Sequence, residues 1–149
     1  MRTPEQAKWD FVQQWLSKAQ QDLRAGEVIL TGDFEDYANV GFHAQQSAEK
    51  CIKALLVRHQ IEFSKTHDIA VLRRLVARVD PSLADRLAAA DVLTPYGVEF
   101  RYPGEPPLSR DQARHALNLA DQVRDAILAR LKSYLDAGRT AEGNAEEKK

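Results

Sequence analysis

The chain has 149 residues, of which 44% are hydrophobic and 29% charged, with 21 basic against 22 acidic side chains and a formal net charge of -1. That length and balance fit one globular domain and exclude both a globally basic nucleic-acid coat and an acidic disordered chain. A lone cysteine, Cys51, excludes an internal disulfide or cysteine–zinc framework. No apolar run approaches the ~20 residues needed to span a bilayer, and the start MRTPEQAKWD lacks a signal-peptide core, so a cytoplasmic setting is expected.

Charge is uneven along the chain. Residues 1–49 hold 4 basic and 8 acidic side chains, residues 50–79 hold 7 and 2, and residues 80–149 hold 10 and 12. The basic middle is either a solvated helix face or a surface for a polyanionic partner.

Trp9, Val12, Leu16, Ala19, Leu23, Gly26 and Leu30 recur at alternating steps of three and four, which predicts a long first helix. Thr31-Gly32-Asp33 stops it, with Gly32 suited to a positive-φ cap. A second helix is predicted from about Phe34 to His59. Its buried stripe is Ala38, Gly41, Gln45, Ala48, Ile52, Leu55 and Leu56, and its opposite face carries His43, Gln46, Lys50 and Lys53.

Phe63-Ser64-Lys65 reads as a loop. Thr66 is the expected cap of a third helix with Ile69, Leu72, Leu75, Val76 and Val79. Asp80-Pro81-Ser82 breaks it, and Pro81 suits a new helix start. A fourth helix holds Leu83, Leu87, Ala90 and Leu93, and Pro95 and Gly97 perturb or end it.

Residues 97–108, GVEFRYPGEPPL, form the one long irregular stretch. Ser109 then caps the last helix, whose stripe is Ala113, Ala116, Ala120, Val123, Ile127, Leu131 and Tyr134. The expected architecture is all-α: an up-and-down bundle of three long and two short helices over residues 5–136. Residues 137–149 read as a flexible polar tail.

Candidate chemistry concentrates in a few places. Arg101-Tyr102-Pro103-Gly104 places an arginine fork for phosphate and a tyrosine for stacking just before a helix start. Arg101 can equally pair with Glu99 or Glu105, and Tyr102 can simply pack. Arg110 and His115 form an Arg-x4-His spacing, in which arginine could hold phosphate while histidine transfers a proton. Five residues of helix rotate a side chain by ~140°, so the two do not share a face if both are helical. Gln45 and Glu49 border the core face of the second helix and need partners, with Arg101, Lys18 or another helix available. Cys51 reads as a small core residue. The spacing of His43, His59, His67 and His115 supports no metal site, and no cofactor is expected.

Four stretches in order resemble one family, the HEPN (higher eukaryotes and prokaryotes nucleotide-binding) domain. They are Ala19-Gln20-Gln21-Asp22-Leu23, Phe42-His43-Ala44-Gln45-Gln46-Ser47-Ala48-Glu49-Lys50, Lys53-Ala54-Leu55-Leu56 with Thr66-His67-Asp68-Ile69, and Arg101-Tyr102-Pro103. The last is similar to a branch marked by Arg-Tyr-Pro. The resemblance implies a helical bundle that forms a homodimer, and a toxin–antitoxin-like pairing with a minimal nucleotidyltransferase encoded nearby. Many members are metal-independent ribonucleases with an Arg-x4–6-His motif. Here Arg101 resembles the family's pre-helix arginine, but Tyr102-Pro103-Gly104-Glu105-Pro106-Pro107 follows it, and Arg110-His115 alone meets the spacing.

Three functions therefore stand open. The leading one is a nucleotide- or RNA-binding protein using Arg101 and Tyr102, with His43, Lys50 and Lys53 contributing if their face lines the same cleft. The others are an active metal-independent endoribonuclease using Arg110 and His115, or Arg101 with a histidine from elsewhere, and a non-catalytic protein-interaction module.

Overall fold

The computed structural model describes residues 1–147, with the side chain of Arg101 outside the described set. The first helix, α1 (Pro4–Thr31), starts in a reciprocal cap. Thr3 Oγ1 accepts from the Gln6 amide at 3.1 Å while Gln6 Oε1 accepts from the Thr3 amide at 2.8 Å, and Pro4 occupies the first turn where its missing N–H costs nothing. Its buried side is Val12, Ala19, Leu23, Gly26 and Leu30, the predicted stripe without its half-exposed members Trp9 and Leu16.

The end of α1 differs from expectation. Gly32 is extended (φ -83°, ψ 179°) and its amide donates to the Ile29 carbonyl, so no positive-φ cap forms there. The left-handed residue is Gln60, at φ 55°. It follows α2 (Tyr37–Arg58) and its cap residue His59. The amides of Gln60 and Ile61 donate to Val57 O at 3.1 Å and Leu56 O at 2.9 Å. That is the paired-bond C-terminal motif usually built on glycine.

Helix α2 is the central element, packed by α1, by the last helix and by the connecting segments. No residue of Tyr37–Arg58 is exposed. The sequence reading gave this helix one buried and one solvated face. Enclosure on several sides instead buries Lys53 to 6% and leaves His43, Gln46 and Lys50 half-buried.

After α2, Asp68 caps α3 (Ile69–Val76) by accepting from the Ala70 amide. Thr66, the expected cap, instead accepts from the Asp68 amide at 3.1 Å and braces the turn. Helix α4 (Pro81–Arg86) starts on Pro81, as read from the sequence, and Asp80 caps it by accepting from the Leu83 amide. It then tightens to a 3-10 segment over Ala88–Gly97, which contains Pro95, so the predicted fourth helix is split between two geometries. Arg73 clamps this segment to α3 through two bonds to Asp91 at 2.9 and 2.7 Å. A second short 3-10 turn, Glu99–Arg101, interrupts the stretch read as wholly irregular.

Helix α5 (Arg110–Glu147) begins in a second reciprocal cap between Ser109 and Gln112, at 2.9 and 3.0 Å. It buries Ala113, Ala116, Ala120, Val123, Ile127 and Leu131 of the predicted stripe, with Tyr134 half-buried. The helix does not stop at Ala137. Trp9 lies against the bare Cα of Gly138 and donates to Leu135 O at 3.3 Å, and Arg2 pairs with Glu142 at 2.7 Å. The helix runs on to Glu147; Lys148 and Lys149 lie outside the described residues.

The result is an all-α bundle with no strand among the described residues. Ser47 of α2 donates to Ala19 O, whereas His43 lies beside Gly26, so α1 and α2 are antiparallel. Trp9 meets Leu135 and Glu27 meets Arg114, so α1 and α5 are antiparallel too. Residues 59–109 return the chain to the start of α2, where Tyr96 and Leu108 close on Gly41, and α5 therefore runs parallel to α2. Small residues set the helix spacing. A Cβ on Gly26 would come within 2.6 Å of Leu117 Cδ2.

Candidate functional site

Two carboxylate–histidine pairs line α2, each backed by a lysine. In the first, Asp22 of α1 holds His43 Nδ1 at 2.8 Å through one oxygen and Lys50 Nζ through the other. Burial alone would raise the Asp22 carboxyl, but hydrogen bonds from His43 and Lys50 and the Lys50 charge outweigh it and hold it below the usual carboxylate range.

In the second, Glu49 of α2 is 2% exposed. Its Oε1 meets His67 Nδ1 at 2.7 Å and its Oε2 meets Lys53 Nζ at 3.4 Å. Lys53 also lies over the rings of Trp15 and Phe63, at 5.6 and 5.4 Å from their centroids. The partners that Gln45 and Glu49 require are thus supplied by Lys53 and by the segment before α3.

Gln45 links this pair to the connecting loop. It is fully buried. Its Nε2 donates to the His67 carbonyl at 2.9 Å, and its Oε1 accepts from Gln46 at 2.7 Å. Gly97 packs directly on it: a Cβ there would stand 3.0 Å from Gln45 Cδ and Oε1. Thr94 Oγ1 accepts from the Ile69 amide at 3.1 Å. The end of the 3-10 segment is therefore seated on α2 and on the start of α3, and it launches the Arg101–Tyr102 loop from that point.

In this loop Tyr96 and Phe100 stack edge-on at 5.1 Å, and Tyr102 is 65% exposed. Pro103 and Gly104 form a turn in which Gly104 takes φ 100°, a conformation that disfavours a side chain. The predicted phosphate fork of Arg101 lies outside the described residues, although its backbone closes the Glu99–Arg101 turn.

Arg110 and His115 are both exposed on α5, and neither has a hydrogen-bond or ion-pair partner among the described residues. Both are helical, so they point ~140° apart and do not converge within one chain. The structure brings His43 and Lys50 together on Asp22, and places Lys53 behind the surface on Glu49. Among the described residues, no group of three or more His, Cys, Asp or Glu is placed to hold a metal ion. No helix among them is long and apolar enough to cross a membrane.

Sequence reasoning quoted His67 and Asp22 without giving either a role. Their contacts join residues 18 to 28 positions apart, which no local spacing signals. The adjacency of Thr66-His67-Asp68 to a capped helix is the nearest available cue.

Comparison with curated proteins and with solved structures returns no match. A family model described as HEPN domain matches residues 12–131, from the first turns of α1 to the buried Leu131 of α5, and so covers α2, the histidine pairs and the Arg101–Tyr102 loop. The chain belongs to the HEPN domain family.

Proposed function

We propose that this protein binds RNA or a nucleotide through the loop that carries Arg101 and Tyr102. Membership of the HEPN domain family supports a nucleotide- or RNA-binding, or ribonuclease-like, module. The observation that carries the reading is the loop itself. It presents a 65%-exposed tyrosine that follows Arg101 in the chain, five residues beyond Gly97, which is seated against buried Gln45. An exposed aromatic ring is a stacking platform for any base, and an arginine supplies a phosphate contact.

His43 and Lys50 lie on the same stripe of α2 and reach a ligand only while sharing Asp22. Lys53 acts from behind, as the counter-charge of Glu49. Arg101→Ala and Tyr102→Ala should each weaken salt-sensitive binding of a single-stranded RNA oligomer, by about tenfold for the stacking residue. Affinity indifferent to both changes rejects the site.

A second reading is favoured by the freedom of Arg110 and His115. Exposed and unpaired among the described residues, they are available for metal-independent RNA cleavage when two copies of the chain contribute one group each. It expects cleavage in EDTA that is lost in Arg110→Ala or His115→Ala. Unchanged cleavage in those variants rejects the assignment. In either reading the protein forms a homodimer and pairs with a minimal nucleotidyltransferase in a toxin–antitoxin-like module. Co-purification with the product of an adjacent reading frame tests that pairing.

A further inference from the structure

His67 is held at two points. Its carbonyl accepts from the buried Gln45 amide at 2.9 Å, and its ring Nδ1 lies 2.7 Å from Glu49 Oε1. Every other partner of that carboxylate is a donor: Lys53 Nζ at 3.4 Å on Oε2 and Gln45 Nε2 at 3.4 Å on Oε1. An ionised carboxylate only accepts hydrogen bonds, so Nδ1 is the nitrogen that carries the proton. In the neutral ring Nε2 is then a bare acceptor.

The His67 side chain is 62% exposed, and Nε2 has no partner among the described residues. A surface imidazole normally turns freely and takes either tautomer. This one is fixed in both respects by groups buried beneath it.

Its neighbourhood matters as much as its geometry. Gln45 touches both the His67 carbonyl and Gly97. Arg101 follows Gly97 by four residues, a span of at most about 14 Å even when fully extended, and the Glu99–Arg101 turn shortens it. The imidazole and the Arg101–Tyr102 loop therefore sit within the reach of one short oligonucleotide. Glu49 is in contact with the ring and carries Lys53 on its other oxygen. The residues of the 3-10 segment that meet this seat, Thr94 and Gly97, bring no charge.

A fixed, exposed acceptor within an oligonucleotide's reach of the proposed phosphate and stacking loop favours ligands with a hydroxyl donor. The group that separates RNA from DNA is the ribose 2′-hydroxyl. We infer that His67 Nε2 accepts a hydrogen bond from a ribose hydroxyl of the bound ligand and gives the site a preference for ribo- over deoxyribonucleotides. Glu49 is the positioning residue: by accepting from Nδ1 it selects the tautomer that leaves Nε2 bare in the neutral ring. The inference rests on the binding function proposed for the Arg101–Tyr102 loop and names the ligand class that loop receives.

The test measures the affinity of the full chain for a single-stranded ribo-oligonucleotide and for its deoxyribo counterpart, in wild type, His67→Ala and Arg101→Ala. Wild type should prefer the ribo form by about fivefold, the size of one neutral hydrogen bond. His67→Ala should bind both forms alike; it also removes a hydrogen bond from the buried Glu49 and so should melt at a somewhat lower temperature, and affinities are compared below that transition. Arg101→Ala should weaken both forms and retain the preference. Ring nitrogen shifts in the free protein should place the His67 proton on Nδ1, and its Nε2 signal should move on addition of the ribo form alone. Equal wild-type affinities, a preference that survives His67→Ala, or a ring proton on Nε2 overturns the inference while leaving the binding function in place. Failure of wild type to bind either oligonucleotide overturns both.

Discussion

Replacing Glu49 by glutamine changes one buried oxygen to an amide and leaves the shape of the site almost intact. The consequence falls on Lys53. Its side chain is 8% exposed and its ammonium lies 3.4 Å from Glu49 Oε2. Removing one partner of a buried pair typically costs ~3–5 kcal/mol, because the remaining charge stays desolvated and unopposed. The lysine stem is flexible enough to carry its head part-way to water, and the Trp15 and Phe63 rings stay beneath it. These two features place Glu49→Gln at the low end, about 3 kcal/mol.

Lys53→Met leaves Glu49 with His67 and Gln45 and should cost less, about 1–2 kcal/mol. The double variant lacks both charges and should be more stable than Glu49→Gln alone. Urea unfolding followed by helical circular dichroism measures all four proteins, with the slope checked for constancy. A cost below about 1 kcal/mol for Glu49→Gln, or a double variant whose loss equals the sum of the two singles, refutes the buried pair as the cause.

Other outcomes follow from single sites. Burial pushes the Cys51 thiol up to about 12, so it should resist a thiol-directed reagent in the native protein and react only at the rate of opening. Gln60 occupies a left-handed position at the end of α2, so Gln60→Gly should stabilise by ~0.5–1 kcal/mol in thermal or urea unfolding; a loss of stability contradicts that cap. Asp22 has its carboxyl held below its ordinary 3.8 by His43 and Lys50 against the opposing effect of burial. Its contribution is therefore present above about that pH and is lost as pH falls through the lower folded value. Asp22→Asn should cost about 1 kcal/mol at neutral pH. The gap from wild type should close on acidification, and a gap independent of pH refutes the assignment.

The bundle was legible because its cause is local. Steps of three and four from Trp9 to Leu30 and from Ala113 to Tyr134 can bury an apolar side only as helices, and Ser109 and Pro81 mark starts through their own backbone chemistry. The loop carrying Arg101 and Tyr102 was legible for the same reason, since its prolines and glycines exclude a long helix. The cap at the end of α1 was not. Gly32 is free to turn left-handed but gains nothing by it, whereas the bonds to Val57 and Leu56 draw Gln60 into that conformation. Nor was the fate of Lys53. Its spacing with His43 and Lys50 describes one stripe of an isolated helix, and a helix enclosed by its neighbours has no stripe wholly in water.

By itself, then, the sequence determined helix identity, the order of elements, the irregular loop and the family likeness, because each depends on residues within a turn or two of one another. Tertiary structure alone decided that α5 runs parallel to α2 and carries on to Glu147 under Trp9. It alone decided that Asp22 meets His43 and that Glu49 meets His67. Those pairings join groups on separate helices or on a helix and a loop. They form because a buried carboxylate must find donors wherever the packed chain brings them, and the direction of that packing is set by the whole core rather than by any local pattern.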